Sequence, residues 1–236
     1  MSLSGYGGYA YGVTQAAALA RALGEPAVSV LELGVAGGQG LLELERLALA
    51  AQGTAVAVTG FDLGTGLPEP ADYRDLPYVW RGGFFAMDER RLRASLRFAD
   101  LRLGDIAVTA GEFLAEGGPP VGFAAFDLDY CSSTLAAMRA LLGGPAGRFL
   151  PRVLCYFDDT VGPHEEMHCE FTGALAAIGE FNAGSAARKV GRLSGLRYKP
   201  GVPDAAWTEG MYVAHLFDHP RYCDYVHPGD DRQLPL

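Results

Sequence analysis

A glycine-rich segment lies between an apolar run and an amphipathic segment, and it constrains the fold more than any other feature. Residues 28–33 are typical of a buried strand, and residues 38–52 are typical of a helix. The glycines at positions 34, 37, 38 and 40 allow the backbone to turn tightly and to approach a ligand closely. This order of strand, glycine turn and helix predicts an α/β fold with a binding site at the turn.

Short apolar runs alternate with helical patterns along the rest of the chain. The alternation predicts a single Rossmann-like, doubly wound α/β fold with a mainly parallel seven-stranded sheet, in which the first five strands have the order 3-2-1-4-5. No long helix separates the last two runs, so we expect an antiparallel edge strand. The predicted strands cover residues 28–33, 55–61, 101–103, 121–126, 153–157, 196–199 and 211–217.

The length of 236 residues fits one α/β domain. We expect residues 1–236 to form it, with a short N-terminal helical segment over 1–26. Residues 63–85 fit no element, and loops longer than about 12–15 residues in compact domains are usually functional or disordered. The aromatic content of this segment predicts an ordered lid or cavity wall, and a packed surface loop is the alternative. Its aromatic residues are Tyr73, Tyr78, Trp80, Phe84 and Phe85.

Charge and hydropathy argue against nucleic acid and membranes as partners. The formal net charge is −9, from 28 acidic and 19 basic residues, which disfavours binding to a nucleic-acid backbone. No apolar run approaches the roughly 18–20 residues that cross a bilayer, and the N-terminus does not resemble a secretory signal. The four cysteines form no CxxC pair. We therefore expect a cytoplasmic protein with reduced thiols and no membrane partner.

Acidic residues near the ends of the first three strands indicate the type of ligand. A carboxylate at Glu32, two residues before Gly34, would repel a pyrophosphate and attract the ammonium group of S-adenosylmethionine. Asp62, at the end of the second strand, is placed to accept hydrogen bonds from ribose hydroxyls. Asp105 follows the third strand, where an adenine contact is expected. A turn residue at Asp62 and a turn or helix cap at Asp105 are the alternatives.

Two motifs carry a specific resemblance. ELGVAGGQG followed by FDLGTGLP is similar to the class I S-adenosylmethionine-dependent methyltransferases, and FDLDYCSST and YFDD resemble their macrocin O-methyltransferase-like group. The similarity runs from about Tyr9 to Tyr225. The group acts on sugar hydroxyls of natural products, so the resemblance implies O-methyl transfer to a small-molecule hydroxyl. The cofactor-binding residues would be Glu32, Gly34, Ala36, Gly38, Asp62, Asp105 and Asp127.

Four further acids follow the fourth and fifth predicted strands. Asp127 and Asp129 follow the fourth strand, and Asp158 and Asp159 follow the fifth. Neighbouring parallel strands lie about 4.8 Å apart, so these carboxylates should converge at one edge of the sheet. Such a cluster shares protons or binds a hard cation, with Mg²⁺ most suitable. The resemblance implies that Asp127, Asp158 and Asp159 are metal ligands and that Asp129 is the catalytic base. Helix capping by some members is the alternative.

The segment His164-Glu165-Glu166-Met167-His168 matches the HExxH pattern of zinc peptidases. The rest of the sequence disfavours a zinc site, because no third ligand follows at the expected place. We expect a helix over residues 164–182 that places His164, His168 and Phe171 on one inward stripe. His168 would then lie near the site and be an alternative catalytic base.

Two other functions remain open at this point. A metal-dependent hydrolase would use the same four aspartates without a sulfonium cofactor, and a non-catalytic protein would only bind an adenosyl ligand. The sequence names neither the acceptor nor the oligomeric state, for which a homo-oligomer is one alternative.

Overall fold

Seven strands form a single mixed sheet in the computed structural model, which describes residues 6–227. The parts of the predicted N-terminal segment and domain that cover residues 1–5 and 228–236 lie outside the described residues. The strands are β1 (Ala27–Leu33), β2 (Ala55–Asp62), β3 (Asp100–Leu103), β4 (Val121–Phe126), β5 (Phe149–Phe157), β6 (Arg188–Arg192) and β7 (Met211–Leu216). Their order is β3-β2-β1-β4-β5-β7-β6. The prediction of a doubly wound, mainly parallel sheet is confirmed.

In the described part of the chain, six α-helices cover the two faces of the sheet. They are α1 (Gly7–Ala22), α2 (Gln39–Ala50), α3 (Glu89–Ser95), α4 (Ile106–Glu116), α5 (Cys131–Leu142) and α6 (Gly173–Gly184). Apolar residues of α4, α5 and α6 form one buried cluster with the sheet, and those of α1, α2 and α3 form the other. The central strand β4 is buried along its whole length, which explains its uninterrupted apolar sequence.

The predicted antiparallel pairing at one end of the sheet is confirmed, but the reversed strand is not the edge strand itself. β7 pairs antiparallel with both β5 and β6, so the reversed strand lies one place in from the edge. The predicted strand at 196–199 is wrong, because a short 3₁₀ turn occupies Leu196–Tyr198. The edge strand is instead Arg188–Arg192, in which only Val190 is buried. A strand with one buried side chain has no apolar run, so the pattern did not indicate it.

The predicted helix over 164–182 is also wrong in its first half. A 3₁₀ turn covers His164–Glu166, Met167 has a left-handed φ of 48°, and α6 begins only at Gly173. The inward stripe is therefore absent, since His164 is exposed and Phe171 is 75% exposed. The HExxH residues do not share a helical face.

Within residues 6–227, we find no helix that combines the length and the apolar character needed to span a bilayer.

Candidate functional site

A cavity of about 340 Å³ opens at the carboxyl ends of β1, β2, β4 and β5. This is the edge at which ligands bind in open α/β sheets. Its polar side contains the acids that follow β2, β4 and β5, and its apolar side comes mainly from residues 63–85. The apolar lining residues include Leu63, Leu67, Pro68, Trp80, Phe85 and Val161.

The glycine turn after β1 forms one wall of the cavity. Gly34 has a φ of 90°, and a Cβ atom there would overlap the backbone oxygen of Asp127. Only glycine therefore fits between β1 and the end of β4. Gly34 and Ala36 line the cavity, whereas Gly38 is the N-cap of α2 and packs against Leu92.

Glu32 lies beneath this turn and does not line the cavity. Its Oε1 accepts a hydrogen bond of 2.8 Å from the Tyr9 hydroxyl, and its Oε2 is buried without a partner among the described residues. Burial raises the pKa of Glu32 from 4.5 to about 8, although the Tyr9 hydroxyl acts in the opposite direction. Glu32 is thus mainly protonated at neutral pH in this structure, and its contact with a ligand's ammonium group stays a prediction.

Glu32→Gln should make the free energy of unfolding less dependent on pH. Below pH 4.5, Glu32 is protonated in both the folded and the unfolded protein, so its raised folded-state pKa does not lower the free energy of unfolding there. Stability then falls as the pH rises from about 4.5 to about 8, by up to about 4 kcal/mol. Glutamine cannot ionise, so this loss should be absent from the variant.

Urea unfolding at pH 5 and pH 8.5 measures the difference. Glu112→Gln, which changes an exposed glutamate on α4, should follow the wild type. An equal decrease in the wild type and in Glu32→Gln would show that Glu32 is not a buried neutral acid.

Asp62 lines the cavity and orders the turn. Its Oδ2 accepts hydrogen bonds from the backbone N–H groups of Val35 and Ala36, at 2.8 and 2.9 Å. Its Oδ1 accepts a further bond of 2.6 Å from the N–H of Gly64. Asp105 differs, because it is exposed, does not line the cavity and caps α4 by accepting a 2.8 Å bond from the N–H of Ala107.

Three carboxylates meet on the polar side of the cavity, as the strand order predicted. One oxygen from each of Asp127, Asp158 and Asp159 lies within 4.8 Å of the others. Phe126 and Phe157 are paired in the register of β4 and β5, which brings the acids after them together. Burial and the neighbouring carboxylates raise the pKa values of Asp127 and Asp159 well above the usual range. These residues offer an all-oxygen ligand set for a hard cation.

Hydrogen bonds orient two members of this cluster. The Tyr156 hydroxyl donates to Oδ1 of Asp158 at 2.8 Å. Asp159 accepts bonds from the backbone N–H groups of Leu128 and Asp129, at 3.2 and 2.8 Å. The carboxylate of Asp159 therefore shapes the chain directly after β4.

Asp129 is buried beside the cluster and lines the cavity. It has a left-handed φ of 56°, a backbone conformation that aspartate tolerates better than most residues. Burial raises the pKa of Asp129 to about 7, and the charges of Glu166 and Asp158 act in the same direction.

The aromatic segment 63–85 is packed in place at several points. Asp75 is buried and accepts 2.8 Å bonds from both the backbone N–H and the hydroxyl of Ser132, at the start of α5. Leu76 is fully buried, and the Tyr78 hydroxyl donates to the backbone oxygen of Glu166 at 3.2 Å. The segment forms a cavity wall in this structure.

Glu166 is a site residue that the sequence did not indicate. It is buried and lines the cavity, and its Oε2 lies 2.6 Å from Nε2 of His168. His168 itself is not among the lining residues. The predicted helix placed Glu166 away from the stripe of His164 and His168, so the helical pattern obscured its position.

No family model and no curated protein matches the sequence. Solved structures do match. The calicheamicin methyltransferase CalS11 is 20% identical with a TM-score of 0.57, and the match covers 86% of this chain and 77% of that one. The O-methyltransferase NovP is 15% identical with a TM-score of 0.51, covering 75% of this chain and 72% of that one. The protein therefore has the fold of the class I S-adenosylmethionine-dependent methyltransferases, as its motifs predicted.

Proposed function

We propose that this protein is an S-adenosylmethionine-dependent O-methyltransferase that acts, with the help of a divalent cation, on a hydroxyl of a small molecule of the sugar or natural-product type. One observation carries the proposal: a single cavity joins the glycine turn and Asp62 to the cluster of Asp127, Asp158 and Asp159. The fold it shares with CalS11 and NovP, both described as methyltransferases, supports the same function.

The cofactor side of the cavity suits an adenosyl ligand without phosphates. Gly34, Ala36 and Asp62 line it, and among the described lining residues there is no lysine, arginine or histidine to pair with a pyrophosphate. S-adenosylmethionine would supply an electrophilic methyl group. Asp127 also lines the cavity, where it could contact both the cofactor and the cation. Gly38 would act by shaping the turn at the start of α2. The contact of Asp105 with adenine remains a prediction.

The cluster fits a divalent cation. Its three carboxylates have no neutralising side chain among the described residues that line the cavity. Burial, and then repulsion by neighbouring carboxylates, raises the pKa values of Asp127 and Asp159. A bound cation such as Mg²⁺ would supply Lewis-acid polarisation of an acceptor oxygen. Asp127, Asp158 and Asp159 would hold it.

The remaining steps use the chain's own residues. Asp129 lines the cavity beside the cluster, where its carboxylate can accept the proton of the acceptor hydroxyl. The aromatic wall orients the acceptor and excludes water, and we propose that part of it closes as a lid. An acidic cavity of about 340 Å³ suits a small molecule rather than nucleic acid. The four free cysteines agree with the reducing cytoplasm, which we propose as the location.

Calorimetry of the purified protein tests the proposal. We expect S-adenosylmethionine or its demethylated product to bind with a micromolar Kd, about −8 kcal/mol, and NAD⁺ to bind much more weakly. Equal or tighter NAD⁺ binding would contradict the proposal. Mg²⁺ binding without S-adenosylmethionine binding would favour the hydrolase, and cofactor binding without methyl transfer to any hydroxyl compound would favour a non-catalytic binder.

Trp80→Ala should impair the acceptor far more than the cofactor. The Trp80 ring lines the cavity 5.6 Å from the ring of Phe85, and this pair can pack against the apolar face of an acceptor. We expect kcat/KM for the acceptor to fall by about 10- to 100-fold, from the loss of about 1.5–3 kcal/mol of aromatic packing. The Kd of S-adenosylmethionine should change by less than about threefold.

The matched control is Tyr73→Ala, which removes an aromatic ring of the same segment that is 71% exposed and outside the cavity. Steady-state kinetics with both substrates separates the two effects. Unchanged acceptor kinetics in Trp80→Ala would show that this aromatic segment packs on the surface and does not bind the acceptor.

A further inference from the structure

The cavity is strongly acidic and has no cationic side chain among its described lining residues. A divalent cation held by three of its acids would leave three others outside the metal site. Of these, Asp62 already accepts three backbone hydrogen bonds within the glycine turn. Asp129 and Glu166 remain, and they face the part of the cavity left for the acceptor. The lining acids are Asp62, Asp127, Asp129, Asp158, Asp159 and Glu166.

Glu166 is held in place from several sides. Its side chain is only 8% exposed, and its Oε2 pairs with Nε2 of His168 at 2.6 Å. Gly162 packs so closely that a Cβ atom there would overlap Oε2. The Tyr78 hydroxyl bonds to the backbone oxygen of Glu166. These contacts give the carboxylate a defined orientation toward the cavity, although no strand or α-helix carries it.

The second carboxylate oxygen of Glu166, Oε1, is the atom available to bind a ligand. Oε1 has no hydrogen-bond partner among residues 6–227, while the residue lines the cavity. Because Oε1 is open to the cavity and not enclosed by protein, it can receive a donor from a bound molecule. His168 pairs with only one of the two oxygens.

We propose that the acceptor carries a protonated amino group near the hydroxyl that is methylated, and that Glu166, positioned by His168, binds this group. The inference rests on the proposed function and names its substrate class as an amine-bearing polyhydroxyl compound. A neutral hydroxyl would also donate to Oε1, but a cation would in addition be attracted by the carboxylates of Asp129 and Glu166. The rings of Trp80 and Phe85 on the same cavity favour a cation as well. An anionic group at this position would be repelled by Asp129 and Glu166.

Three sugars of the same ring size test the charge preference: methyl 2-amino-2-deoxyglucoside, methyl glucoside and methyl glucuronide. Each is titrated by NMR into the full-length protein with Mg²⁺ and S-adenosylhomocysteine. The amine should bind at least about tenfold more tightly than the neutral sugar, equivalent to about 1.4 kcal/mol, and the glucuronide should bind most weakly. The preference should decrease with added salt. Equal affinity for amine and neutral sugar, or no binding of the amine, would overturn the proposal.

Variants assign the preference to Glu166. Glu166→Gln should remove it, whereas Glu170→Gln, which changes an exposed residue nearby, should keep it. Gly162→Ala retains every charge but displaces Oε2, so it should also reduce the ratio of amine to neutral affinity. His168→Gln should reduce this ratio in the same way, as a positioning residue. A preference that survives in both Glu166→Gln and Gly162→Ala would overturn the assignment.

The binding of S-adenosylmethionine distinguishes a failure of the proposed function from a failure of the proposed substrate class. Glu166→Gln and Gly162→Ala should bind it as the wild type does, which also shows that they are folded. If the wild type fails to bind S-adenosylmethionine, the proposed function is wrong, whatever the sugars show. If it binds the cofactor without preferring the amine, only the substrate class is wrong.

Discussion

Asp158→Asn should remove metal-dependent methyl transfer almost completely while the cofactor still binds. Asp158 supplies one of three oxygens within 4.8 Å of one another, and asparagine would replace a charged ligand with a neutral one. Asparagine can still accept the bond from the Tyr156 hydroxyl, and the side chain is exposed, so folding should not suffer. We expect activity to fall by about 10³-fold or more, because a Lewis acid contributes several kcal/mol to the transition state.

Calorimetry with Mg²⁺ and with S-adenosylmethionine measures the two affinities separately. Only the affinity for Mg²⁺ should weaken. Asp100→Asn is the matched control, because Asp100 is an exposed aspartate of β3 that pairs with Arg102 outside the cavity. If wild-type turnover persists in excess chelator, the cluster works through shared protons and the metal proposal is wrong.

The sequence predicted this cluster because it depends on strand order alone. Acids that follow adjacent parallel strands must lie at the same edge, so Asp127 and Asp158 converge whatever their side-chain conformations. The glycine turn was predicted for a similar reason, since Gly34 lies where β1 and the end of β4 leave no room for a side chain.

The position of Glu32 depends on a contact that the local sequence does not contain. Its partner Tyr9 lies 23 residues earlier, on α1, and the packing of that helix against the sheet buries the carboxylate. An acid at a strand end was therefore identifiable, but the sequence did not show on which side of the turn its carboxylate lies.

The segment before α6 was mispredicted for a related reason. Its apolar and polar residues follow a helical pattern, yet Met167 and Gly173 have left-handed backbones. Contacts distant in the chain accompany this conformation, including the bond from Tyr78, which lies 88 residues before Glu166. Tertiary contacts outweigh local helix propensity here, and they create the orientation of Glu166 that the helical pattern obscured.

Asp129→Asn should lower kcat by roughly 10²- to 10⁴-fold without weakening Mg²⁺ or S-adenosylmethionine binding. Asp129 lines the cavity beside the cluster but is not one of the three clustered carboxylates, so its loss should affect proton removal and not metal affinity. Asparagine is the informative replacement, because it tolerates the left-handed backbone at φ 56° and cannot accept the proton as a base.

The same measurements on His168→Gln decide between the two bases that the sequence suggested. His168 does not line the cavity but pairs with Glu166, which does, so its replacement should change acceptor affinity more than kcat. A larger loss of kcat in His168→Gln than in Asp129→Asn would instead identify the histidine as the base. If Asp129→Asn also lost Mg²⁺ affinity, Asp129 would be a metal ligand. The proton would then have to leave through another group in the cavity, and Glu166 is the remaining carboxylate with an oxygen that no described residue bonds.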